Sequence, residues 1–251
     1  MAKLLVIIPA YNEEASILKT IADLQTHCPQ ADYVVVKEPY VYELPEYLSY
    51  QTGALIEPLS VATHAVRRAD IRLGETVLII GAGAIGMMVA AMCRRSGAAR
   101  IIIADFSDAR LEMALQVGAT DAVNSGRIDL EAEVQRLTGG KGVDKSFECV
   151  GRESCFIQAI MTLKANGTAT IVGIYEKPMV TFPASRLVTH EIHIQGAQGY
   201  CWDFPIAIAS ARDLPMDKFI THTFPMAQLQ QALETALDPK SGSIKVVLTQ
   251  D

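Results

Sequence analysis

The sequence predicts an α/β fold built on a doubly wound parallel sheet, and three observations lead to that class. From about residue 74, short β-branched runs alternate with amphipathic runs of helical period, the pattern of a parallel sheet covered on both faces. The connections between these runs are short, as adjoining strand-helix units require. The first strand also enters its helix through a glycine-rich turn, Gly81-Ala82-Gly83-Ala84-Ile85-Gly86.

The elements follow in order. Residues 1–36 read as a small βα unit, an apolar run LLVIIPA followed by the helical stretch SILKTIADLQTH. Residues 37–73 form a linker and an interdomain helix: Pro39, Pro45 and a cluster of tyrosines favour extended and turning backbone up to Ile56. A helix then starts near Glu57-Pro58, where a carboxylate and a proline both suit a first turn. Residues 74–215 supply six strands, TVLII, RIIIAD, DAVN, KSFECV, TATIVGIY and EIHIQGA. The helical runs between and after them are AIGMMVAAMCRRS, DARLEMALQV, LEAEVQRLT, ESCFIQAIMTL and WDFPIAIASARDL. Ser107 or Asp108 is suited to cap the second of these helices and Gly118 to stop it. Two βαβαβ halves imply the strand order 3-2-1-4-5-6. Residues 216–251, with FITHTFP, AQLQQALETALD and IKVVLT, need not join that sheet and read as a remnant of a second domain.

The turn at 81–86 carries the most specific chemistry. Gly81 can leave the strand sharply, Gly83 lets main-chain N–H groups approach a pyrophosphate, and Gly86 lets the helix pack closely on the sheet. The N-terminus of that helix, at Ala84 and Ile85, then faces an anion. Asp105 ends the next strand nineteen positions after Gly86, where a carboxylate can accept both hydroxyls of an adenosine ribose and repel a 2′-phosphate. This is a Rossmann fingerprint that favours NAD over NADP. A glycine turn in some other parallel sheet is the lesser reading, because it leaves Asp105 unexplained.

Composition narrows the partners. The chain has 251 residues, 50% of them hydrophobic, and a net charge of −6, values of a globular protein with a full core. Its 22 basic residues are scattered among 28 acidic ones, which argues for a small-molecule cofactor and against nucleic acid or an anionic membrane. The cysteines, at 28, 93, 149, 155 and 201, form no CxxC pair. Reduced thiols and a cytoplasmic location are therefore expected, and no apolar run reaches a membrane-spanning length.

From about Tyr33 onward the chain resembles the zinc-type medium-chain dehydrogenases of the sorbitol, butanediol and threonine dehydrogenase group. The stretches that carry the resemblance are ELPEYLSYQTGALIEPLSVATHAVRRADIRLGETVLIIGAGAIG, GATDAVN, ECVG, IVGIY, HEIHIQGAQG, FITHTFPM and SGSIKVVL. The resemblance implies hydride transfer between NAD and a secondary alcohol or polyol. It also implies that Cys149, Val150 and Gly151 line the adenine side of the cleft, and that Val172, Gly173 and Ile174 lie near the nicotinamide. Such enzymes carry a zinc-bearing catalytic domain before the Rossmann domain, and here its Gly-His-Glu motif and cysteine ligands are absent. Only Glu57, within IEPL, survives from the family's metal neighbourhood, and one carboxylate does not make a zinc site. No confident metal ligand or catalytic residue follows, and the expected chain binds NAD while its alcohol oxidation is crippled.

Other readings complete the sequence. His190-Glu191-Ile192-His193 lacks HExxH spacing and reads as the polar face of an edge strand, with His193 and Glu191 on one side. A non-catalytic NAD-binding module that forms a homo-oligomer through this edge, near 191–199, is the alternative function. Residues 1–36, through VIIPAYNEEASI, resemble the start of a family-2-type glycosyltransferase, but Lys37-Glu38-Pro39 stands where its acidic motif belongs and the chain has no D-x-D. A nucleotide-sugar transferase is thus the weakest reading. His64 and His222 are expected to be structural.

Overall fold

The computed structural model describes residues 41–238 and 240–250, so the N-terminal βα unit and its glycosyltransferase-like motif lie outside the described residues. A one-turn helix, α1 (Tyr50–Gly53), is capped by Ser49, whose hydroxyl accepts the Thr52 N–H. This turn falls within a stretch expected to be extended. The cap explains the difference, because it satisfies a donor that a free helix end leaves unpaired. Helix α2 (Ile56–Ala69) follows, with Glu57 in its first turn and Arg67 and Arg68 in its last, both favourable to the helix dipole.

The sheet is built from β1 (Thr76–Ile80), β2 (Arg100–Asp105), β3 (Asp121–Asn124), β4 (Val143–Glu148), β5 (Leu163–Ile171) and β6 (His193–Gly196). Its order is β3-β2-β1-β4-β5-β6, with every neighbour parallel. Between the strands run α3 (Ala84–Arg95), α4 (Asp108–Val117), α5 (Leu130–Leu137), α6 (Glu153–Met161) and the short α7 (Ser185–Thr189); α8 (Phe204–Ala211) follows β6. Alternation along the strands sorts the core into two layers. Val77, Ile79, Ile101, Ile103 and Phe147 pack with α2, α3, α4 and α8, whereas Leu78, Ile80, Ile102 and Ala104 pack with α5 and α6. Strands apolar on both faces are what a sheet sandwiched between helix layers demands. The predicted stops hold at α4, capped by Ser107 and ended at Gly118.

The boundaries differ in several places. Strand β4 runs Val143–Glu148, so Cys149 and Val150 of the expected KSFECV fall in the turn after it, where the Glu148 carboxylate takes the Val150 N–H. Strand β5 starts at Leu163, inside the run expected to be helical, because Leu163 pairs with Val143 below an irregularity in the register. Strand β6 is shorter than EIHIQGA: Glu191 has φ +50, outside the strand range, so it does not share a face with His193. Helix α8 excludes Trp202, which has φ +59. Helix α7 was not expected. Beyond the main sheet, β7 (Ile220–Pro225) and β8 (Lys245–Thr249) make a separate parallel pair crossed by α9 (Leu229–Leu237).

Candidate cofactor site

The carboxyl ends of β1, β2, β4 and β5 meet in one continuous floor. Gly81 has φ +100 and donates its N–H to Ala104 O at 2.8 Å, which turns the chain away from β1. A Cβ on Gly86 would lie 1.8 Å from Gly81 O, so only glycine permits α3 to sit this close to the turn. A Cβ on Gly83 would meet nothing within 4 Å. Gly83 is the N-cap of α3, without a side-chain cap and without an acid in the first turn. The N–H groups at Ala84, Ile85 and Gly86 thus present an open, positive helix end suited to an anion.

Asp105 does more here than its place in the sequence suggested. Its Oδ2 accepts the Ala82 N–H at 2.7 Å, and its Oδ1 accepts the Phe106 and Ser107 N–H groups at 2.8 and 2.9 Å. A carboxylate has about four acceptor positions. Three are taken by main chain.

The remaining predicted residues are brought together by Glu148, which sequence reasoning passed over. This fully buried carboxylate accepts the Val150 and Gly151 N–H groups at 2.8 and 2.9 Å and the Tyr175 hydroxyl at 2.8 Å. Its main-chain oxygen accepts the Val172 and Gly173 N–H groups at 2.8 and 2.9 Å. Cys149–Gly151 and Val172–Ile174 are thereby locked side by side: a Cβ on Gly173 would lie 2.2 Å from Gly151 N, and one on Gly151 2.1 Å from Ile174 O. A Cβ on Gly81 would lie 2.7 Å from Val150 Cγ2, so the glycine turn abuts the same floor. Burial pushes the Glu148 carboxyl above its ordinary range against the pull of its donors. Burial, followed by the nearby Glu148, pushes the Cys149 thiol up as well, so it is no thiolate nucleophile.

Glu57 stands apart from this floor. Burial raises its carboxyl, opposed by the charge of Lys245, whose own ammonium is lowered by burial. Among the described residues no three His, Cys, Asp or Glu side chains gather as a metal would need. With a cation as its charged neighbour, Glu57 does not fit a zinc site. His64 lies outside the floor: its Nδ1 is 2.9 Å from Oδ2 of the buried Asp203, whose other oxygen accepts from Arg67 at 2.5 Å. His222 stacks on Phe224 in β7. Two hollows, of about 260 and 480 Å³, lie away from the floor, the first beside Arg94 and Asp213 and the second at the amino ends of the strands.

A parallel 3-2-1-4-5-6 sheet with an uncapped glycine turn at its crossover point defines the class of Rossmann dinucleotide-binding proteins. The family of zinc-binding dehydrogenases matches residues 84–212, and the chain belongs to that family. It is 35% identical over 223 residues to D-xylulose reductase of Saccharomyces cerevisiae, covering 86% of this chain and 62% of the relative. Against sorbitol dehydrogenase of Mus musculus it is 34% identical over 217 residues, 84% of this chain and 60% of the relative. The solved 2R,3R-butanediol dehydrogenase from Bacillus subtilis superposes with TM-score 0.81 at 30% identity, over 88% of this chain and 63% of that one. A protein described as a zinc-binding dehydrogenase from Sinorhizobium meliloti 1021, bound to NADP, gives TM-score 0.80 at 26% identity, over 87% and 65%. The chain thus spans less than two thirds of the length of these relatives.

Proposed function

We propose that this chain binds NAD in the manner of the alcohol and polyol dehydrogenases, with the pyrophosphate on the N-terminus of α3. The observation that carries the reading is Gly83, open on its outer side at an uncapped helix end and flanked by Asp105. The N–H groups of residues 83–86 would hold the pyrophosphate, Asp105 one ribose hydroxyl, Cys149–Gly151 the adenine side, and Val172–Ile174 the nicotinamide. Bound NAD would supply a carbon that accepts hydride from a secondary alcohol or polyol. The relative that carries NADP leaves the choice of cofactor to this chain's own residue at the ribose position. Here that residue is an acid, which repels a 2′-phosphate.

The described residues offer no electrophile to polarise an alcohol, because Glu57 faces Lys245 rather than fellow ligands. We therefore read the chain as a cofactor-binding member of its family whose alcohol oxidation is weak. Calorimetric titration with NAD and NADP tests the first part: NAD should bind and NADP should bind at least about tenfold more weakly, the order of a single lost charged contact. Equal binding of both, or of neither, overturns it. Polyol oxidation assays with zinc supplied test the second, and turnover of ordinary dehydrogenase size, ~10 per second, overturns it.

A second reading, an NAD-binding assembly module, is favoured by β6, which forms an edge of the main sheet. Pairing of two copies along His193–Gly196 would make a homo-oligomer, and Ile194→Pro, which removes a ladder donor, should then yield monomers. Among the described residues no helix is long and apolar enough to cross a membrane, and Cys93, Cys149, Cys155 and Cys201 are free thiols. Free thiols support cytoplasmic residence.

A further inference from the structure

The amino ends of the strands, opposite the cofactor floor, hold a second polar hollow of about 480 Å³. Its back wall is a cross-strand row. Lys145 on β4 is in register with Thr168 on β5, and Thr168 with His193 on β6. Strand alternation places Lys145 on the same face as Phe147, which packs toward α2. On that face Gln195, one step further along β6, hydrogen-bonds both Thr170 Oγ1 and Arg68 O at the end of α2. The turn after α2 adds Arg72, and the β4–β5 side adds Lys164 and Asn166.

The charges of this hollow are unevenly satisfied. Its two carboxylates are engaged: Asp144 accepts the Thr76 N–H at 2.8 Å and pairs with Lys164, and Glu75 accepts the Arg72 N–H at 2.8 Å. Lys145, half-buried in a central strand, reaches only Thr168 Oγ1, at 3.4 Å. Among the described residues no carboxylate pairs with it. The carbonyl of Arg68 at the end of α2 is already taken by Gln195. Lys145 thus lines the hollow as a cation with no carboxylate among its hydrogen-bond partners, and an anion entering the hollow would supply one.

We propose that this hollow is a binding site for a small phosphate-bearing molecule, with Lys145 as its anchor and Thr168, His193 and Arg72 as further donors. A tetrahedral phosphate accepts hydrogen bonds from several directions at once, which suits an ammonium, a hydroxyl and an imidazole set along one row. The volume lies within the range of small-molecule sites. This inference does not rest on NAD binding, since the hollow and the floor occupy opposite ends of the sheet.

The test is an NMR titration of the full chain with inorganic pyrophosphate, following the histidine ring signals, with His193 identified by its loss in His193→Gln. A saturable shift of His193, with His64 and His222 unmoved, is expected. Lys145→Met should weaken the response about tenfold or more, the size of one charge-assisted hydrogen bond, and Lys145→Arg should largely retain it. Lys145→Gln serves in place of the methionine variant if melting shows that variant unfolded. No saturable shift at His193, or equal affinity in the uncharged variants, overturns the proposal. A response confined to His64 or His222 also overturns it, by placing the anion elsewhere.

Discussion

The Tyr175 hydroxyl and the buried Glu148 carboxylate meet at 2.8 Å, joining the end of β4 to the loop that follows β5. Glu148 holds three donors from within the core, so each keeps this partner only while the carboxylate stays in place. Tyr175→Phe should cost about 1–2 kcal/mol and Glu148→Ala about 3 kcal/mol, since the second leaves two N–H groups and a hydroxyl unpaired. Urea unfolding of the two variants and of the double variant checks this. Additive losses would show that the two residues do not act as one unit.

The same carboxylate makes stability depend on pH. Burial raises the folded-state pKa of Glu148, and of Glu57, above the ordinary carboxylate value of 4.5. Between that value and the raised one the folded chain binds more protons than the unfolded chain, so stability falls as pH rises through the window. Lys245 works in the opposite sense at alkaline pH: its lowered pKa means the unfolded chain binds more protons, and stability rises with pH toward 10.5. Glu148→Gln should flatten the acid-side slope in melting curves recorded from pH 4.5 upward. An unchanged slope would assign it to other groups.

Gly86 and Gly83 separate packing from binding. Gly86→Ala sets a methyl 1.8 Å from Gly81 O and should cost 3 kcal/mol or more, roughly the size of a severe overpacking. Gly83→Ala meets open space at a φ of −79, so its melting temperature should barely move. The methyl would nevertheless stand where the pyrophosphate approaches, and NAD affinity should fall. Thermal melts paired with NAD titrations separate the two effects, and a Gly83→Ala chain that binds NAD normally would refute the placement of the pyrophosphate.

Asp203 and Arg67 should show unequal effects although they form one ion pair. Asp203 is fully buried and also accepts from His64 and the Cys201 N–H, whereas Arg67 is 55% exposed. Arg67→Ala should cost under about 1 kcal/mol, and Asp203→Ala roughly 2–4 kcal/mol, because it strands several donors. Denaturant midpoints decide the matter.

The strands were legible because Val77–Ile80 and Ile101–Ala104 announce themselves locally, as apolar β-branched runs between turn residues. Gly81 and Gly86 were legible for a similar reason: each answers to a backbone need at a fixed offset. Glu148 was not, since a glutamate closing an apolar strand gains its meaning from Tyr175, 27 positions away. Asp203 is more remote still, 139 positions from His64. It sits at the start of α8 as a capping residue would, yet its side chain turns to α2 instead. Only the signal of a polar residue inside an apolar context was available for either. The short β6 escaped because Glu191 looks like a strand residue in sequence and takes up a left-handed turn in space.

The clasp between Asp105 and the Ala82, Phe106 and Ser107 amides bears on how such a protein could change its cofactor. Replacing Asp105 to admit a 2′-phosphate would unfasten the turns that its oxygens hold, so in the proposed reading selectivity and architecture are bound to one side chain. A lineage, or an engineer, seeking NADP would do better to keep the acid and add a cation at Phe106, whose side chain is already exposed. The ribose end of this fold is easier to adapt by addition than by exchange.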